Sequence, residues 1–79
     1  MSSTNFSLSS SKMIMKSGSD TGFSVSGSSI VRGGSSTDLS IDNGGRILKG
    51  GSDTGYVVGS GGTINKESDK GYNIDYMFL

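Results

Sequence analysis

Four basic side chains recur at nearly equal intervals, Lys16, Arg32, Lys49 and Lys66, spaced 16, 17 and 17 residues apart. A regular row of cations is suited to gripping a polyanion or an anionic glycan, with one acidic group against each positive charge. Without such a ligand the like charges repel one another, even at an exposed surface. Asp20, Asp53 and Asp69 follow three of these cations by a few residues, with Ser36 in the remaining unit and Asp38 close by. The simplest expectation is that the acidic and basic rows neutralise each other across Gly-rich turns. Calcium requires several oxygens converging on one point. The aspartates sit at different offsets in Gly33-Gly34-Ser35-Ser36-Thr37-Asp38 and Gly50-Gly51-Ser52-Asp53-Thr54-Gly55, so no metal site is expected. Phe23, Tyr56 and Tyr72 form a further row with Leu39. Facing outward they would make a sugar-binding ladder; facing inward, the reading adopted here, they are core.

Catalytic chemistry finds little footing. The chain has no His and no Cys, and nothing sets one Ser, Lys or Asp apart as a nucleophile or base. We therefore expect no enzyme and no cofactor. Seven basic and seven acidic residues cancel, so no net charge recruits nucleic acid or anionic lipid. No segment is apolar enough over sufficient length to insert in a membrane, and residues 1–16 lack the continuous apolar stretch of a secretory signal. Asn5-Phe6-Ser7 matches a glycosylation sequon, which without a secretion signal carries little weight. The absence of Cys leaves the redox compartment open, and the cellular location is not determined.

The elements that position these side chains are repeated. Ile14, Ile30, Ile47 and Ile64 recur at 16, 17 and 17 residues, and the pairs Phe23/Val25, Leu39/Ile41, Tyr56/Val58 and Tyr72/Ile74 at 16, 17 and 16. A half-unit, Phe6-Ser7-Leu8, precedes them. The alternation in Phe23-Ser24-Val25 and Leu39-Ser40-Ile41 has the period of a half-buried strand. Gly and Ser fill the turns; with no Ala, Gln or Pro in the chain, short strands are favoured over helices. Paired glycines mark sharp corners, not phosphate loops, because no helix follows them.

Repeats this short must be covered by their neighbours. They predict an all-β fold, a β-solenoid (β-helix) of about four 16–17-residue rungs. The organisation expected is a leading segment over 1–12, rungs at 13–28, 29–45, 46–62 and 63–74, and an apolar C-terminal segment over 75–79. At roughly 4.8 Å per rung such a rod is about 20 Å long and exposes unpaired strands at both ends. Phe6 and Leu8 at one end, and Tyr76, Met77, Phe78 and Leu79 at the other, are the expected caps or docking surfaces.

From Ile41-Asp42-Asn43-Gly44-Gly45-Arg46 to Gly61-Gly62-Thr63-Ile64, and more broadly over residues 27–64, the chain resembles the passenger repeats of AIDA-type self-associating autotransporter adhesins. That resemblance implies a β-helix at an extracellular or cell-surface location, engaged in adhesion. The unit here is shorter, and no translocator segment is present.

The function these features favour is structural: a glycine-rich repeat protein that self-assembles into an amyloid-like filament or adhesive structure by end-to-end strand stacking. Its partner would be itself or a larger adhesin. One alternative is a trimeric β-helical phage-tail or injection-spike segment, with a phage structural protein as partner. Another is an anion- or glycan-binding module using the Lys/Arg row.

Overall fold

Four places in the chain reverse direction in two residues, one of them at Gly27-Ser28. The other three, Ser17-Gly18, Gly33-Gly34 and Gly50-Gly51, all have positive φ at both positions, 51° and 85°, 56° and 90°, and 60° and 86°. This is the type I′ geometry whose twist matches that of the strands it joins. Two-residue turns produce antiparallel neighbours, whereas stacked rungs need parallel ones. The computed structural model, which describes residues 2–78, is accordingly a barrel and not a solenoid.

Its strands are β1 (Ser2–Leu8), β2 (Met13–Lys16), β3 (Ser19–Ser26), β4 (Ser29–Arg32), β5 (Ser35–Ile41), β6 (Arg46–Lys49), β7 (Ser52–Val58) and β8 (Thr63–Lys66). Each pairs antiparallel with the next, and β1 pairs with β8 to close the sheet. A four-residue helix, α1 (Ile74–Met77), follows. Closure gives every strand two neighbours, so the described strands leave no free edge of the kind end-to-end stacking would use.

Equivalent residues lie around the barrel axis instead of along a rod. Ile14, Ile30, Ile47 and Ile64 form one ring, each 0% exposed. A second ring contains Phe6, Phe23, Leu39 and Tyr56, and a third, half-buried, contains Leu8, Val25, Ile41 and Val58. Eight strands enclose an interior that side chains alone can fill. The expected fourth pair, Tyr72/Ile74, is not part of these rings. Phe6 and Leu8 of β1 take that place, so the leading half-unit is the missing half of the fourth repeat. Ile74 belongs to α1, which with Met77 and Phe78 packs against the core. Phe78 lies 5.5 Å from the ring of Phe6 and 5.1 Å, edge-on, from that of Phe23. Tyr56 Oη donates to the Tyr72 carbonyl and accepts from the Ile74 N–H, both at 3.4 Å. Asn73 caps α1, its side chain accepting from Asp75 N at 2.9 Å. Of the residues expected as the C-terminal cap or docking surface, Met77 and Phe78 plug the barrel and Tyr76 is 75% exposed; Leu79 lies outside the described residues.

A row of threonines, Thr4, Thr21, Thr37 and Thr54, holds the wall where the strands shift register. Each hydroxyl donates to the carbonyl of one ring isoleucine: Thr4 to Ile64 (2.7 Å), Thr21 to Ile14 (2.8 Å), Thr37 to Ile30 and Thr54 to Ile47 (both 2.6 Å). Each also accepts from the N–H two residues on, at 3.1–3.4 Å. The hydroxyl stands in for ladder bonds that the irregularity interrupts, and no buried side-chain polar atom among the described residues lacks a partner.

Candidate functional site

The four cations of the repeat gather at the plugged end. Lys16 pairs in register with Phe6, Arg32 with Phe23, Lys49 with Leu39 and Lys66 with Tyr56, so each stands beside a member of the second ring. What was expected as a straight row is a rim around that end. Lys16 Nζ lies 5.5 Å from the Phe6 ring centre and 3.2 Å from Asp75 of α1. The Arg32 guanidinium lies 5.3 Å from the Phe23 ring, within cation–π range. Lys66 is 4.0 Å from Asp69. Arg32 and Lys49 form no ion pair among the described residues.

The acidic row does not form a ladder. Asp20 on β3 and Asp53 on β7 are four strands apart in an eight-stranded ring, and Asp69 is in the loop after β8. Each accepts from the N–H two residues on, that of Gly22 or Gly55 at 2.8 Å and of Gly71 at 3.0 Å. These are Asx turns, a local backbone role. Asp53 also meets Arg46 at 3.3 Å, and Arg46 reaches Glu67 at 3.9 Å. Among the described residues the expected neutralisation of the two rows therefore holds only at Lys66–Asp69, while Asp75 and Arg46 serve Lys16 and Asp53. No cluster of three acidic groups that could hold a metal occurs among the described residues.

Among the described residues, clefts border the rim at the start and at the end of the helix. One, of about 320 Å³, is bordered by Asn5, Lys66, Tyr72 and Asp75. The other, of about 260 Å³, lies beside Leu39, the one aliphatic member of a ring whose other members are aromatic. Its walls are Arg32 and Lys49 on the two short strands flanking β5, Asp38 on β5 between them, and Tyr76 and Met77 of α1. It thus combines two cations, one carboxylate and an exposed aromatic ring.

Sequence reasoning selected the four cations and Tyr76 but not Asp38 as a cleft residue, Arg46 as the centre of an ionic pair of contacts, or the threonine row. The threonines were detectable, since Thr4, Thr21, Thr37 and Thr54 recur at 17, 16 and 17. Fold and rim together define a small, plugged, up-and-down β-barrel with a cationic end. Comparison with protein-family models, curated proteins and solved structures finds no match, and the resemblance to adhesin repeats gains no support from them.

Proposed function

We propose that this barrel is a binding module for an acidic oligosaccharide, held in the cleft between α1 and the β4–β6 wall. One observation carries the reading: Arg32 and Lys49 border a single cleft that also contains the 75% exposed ring of Tyr76. A guanidinium and an ammonium pair with carboxylate or sulfate groups. The Tyr76 face offers an apolar surface to the C–H side of a sugar ring, and Asp38 accepts from hydroxyls. The zero net charge of the chain leaves recognition to this local constellation and not to long-range steering.

Calorimetric titration with a sulfated or uronic-acid oligosaccharide, against a neutral one of equal length, tests it. Binding should weaken with salt and be absent for the neutral sugar. It should be lost in Arg32→Ser/Lys49→Ser with an unchanged circular dichroism melt. Undetectable binding of the acidic sugar, or binding that survives the double change, refutes the reading.

A further inference from the structure

The fourth repeat is assembled from the two ends of the chain, β8 supplying its short strand and β1 its long one. Ser2 pairs with Lys66, Ser3 with Asn65 and Ser7 with Thr63. Leu8 N–H donates to the Gly62 carbonyl and Thr4 Oγ1 to that of Ile64. Only the loop 9–12 joins this closing strand to the rest of the barrel. The same loop recurs twice, at 42–45 and 59–62, with matching bonds. The first residue donates to the strand after the loop (Ser9 to Met13, Asp42 to Arg46, Gly59 to Thr63), and the fourth donates back to the first (Lys12 to Ser9, Gly45 to Asp42, Gly62 to Gly59). The fourth residue is left-handed in each, with φ 83° at Gly45, 89° at Gly62 and 68° at Lys12. The closing strand is therefore tethered by the one loop of the three that places a side-chain-bearing residue where the others place glycine. Lys12 is exposed, and no burial offsets the strain of that conformation.

We propose that β1 exchanges between two copies of this chain, the loop 9–12 straightening so that β1 of each copy fills the gap between β8 and β2 of the other. Straightening releases Lys12 from its left-handed conformation in both copies, and the bonds within each barrel are re-formed by the partner's identical strand. Four extended residues span roughly 13 Å, which sets the gap the straightened loop bridges between the facing ends of the two barrels. That end is the one α1 leaves uncovered. Two copies exchanged in this way meet there, and the half-buried ring of Leu8, Val25, Ile41 and Val58 faces its counterpart. The surface used is opposite the oligosaccharide cleft, so exchange and ligand binding stand or fall separately.

The test is refolding at micromolar and at millimolar chain concentration, with mass measured by light scattering after size exclusion. Exchange predicts a dimer that appears only at the higher concentration. Lys12→Gly, which relieves the closed loop, should lower the dimerisation constant on the order of tenfold, two hinges contributing about threefold each. In Ser3→Cys/Asn65→Cys, whose two sites are paired across the β1–β8 boundary, the isolated dimer should oxidise to a covalently joined pair of chains on a non-reducing denaturing gel. The monomer should give only internal cross-links. A strictly monomeric species at millimolar concentration overturns the proposal. So does a dimer whose cross-links fall within single chains, or one as abundant in Lys12→Gly as in the wild type.

Discussion

Gly22 and Gly55 occupy the same place in two repeats, Asp20-Thr21-Gly22-Phe23 and Asp53-Thr54-Gly55-Tyr56, with φ of 89° and 85°. An alanine at either position meets the same backbone penalty, of about 1 kcal/mol, partly offset by the stiffer unfolded chain. Their surroundings differ. A Cβ on Gly22 has nothing within 4 Å, whereas on Gly55 it would collide with the Ser68 carbonyl oxygen and lie 3.0 Å from its carbon. The 66–70 segment lies directly over Gly55, whose carbonyl accepts from Glu67 N–H at 2.7 Å and Ser68 N–H at 3.2 Å. An alanine there must push this backbone away. Both bonds then go, at about 1 kcal/mol each, and the segment that leads to the plug is displaced. Gly55→Ala should therefore destabilise by about 3–4 kcal/mol and Gly22→Ala by about 1 kcal/mol. Against a total of roughly 4–12 kcal/mol for a chain of this size, the first is a severe loss. Urea unfolding followed by far-ultraviolet circular dichroism measures both. With a slope of about 1–2 kcal/mol per molar for a small domain, the midpoints should differ by about 1–3 M. Midpoints within roughly 0.3 M of each other would refute the claim that the 66–70 segment rests on Gly55.

Two further outcomes follow from the same geometry. Thr54→Val keeps the shape but deprives the Ile47 carbonyl and the Tyr56 N–H of a partner in a fully buried wall. It should cost about 1–3 kcal/mol while Thr54→Ser costs less, and a valine variant as stable as the wild type would dismiss the threonine row as a structural device. Phe78→Ala removes the aromatic plug from Phe6 and Phe23 and should cost about 3–5 kcal/mol. Amide exchange should then accelerate across α1 but not across the isoleucine ring, and uniform acceleration would show that the plug and barrel unfold together.

Much of the core was legible in the sequence. The four isoleucines, the Phe23, Leu39 and Tyr56 positions and the residues two places beyond them were all selected by spacing, because inward-facing positions must return once per repeat. The error at Tyr72/Ile74 has a definite origin. Counting forward from Ile64 assigns the fourth long strand to the residues that follow it, whereas the strand that completes the repeat is β1, at the far end of the chain. The cleft was less accessible. Arg32 and Lys49 were visible as members of a regular row, but Asp38 and Tyr76 join them only after the sheet curls and α1 folds across its end.

The repeat by itself determines which residues are equivalent, which face of each strand is apolar and where the chain turns. It leaves open the operation that relates one repeat to the next, since translation along an axis and rotation about one give equivalent residues the same local neighbours. The fold decides in favour of rotation. Paired left-handed turns at Gly33-Gly34 and Gly50-Gly51 make each repeat an antiparallel hairpin, and strand twist curls the sheet until β1 reaches β8. Burial of Phe6 and Leu8 against the isoleucine ring favours that closure, leaving the row of cations as a rim around one end of the barrel.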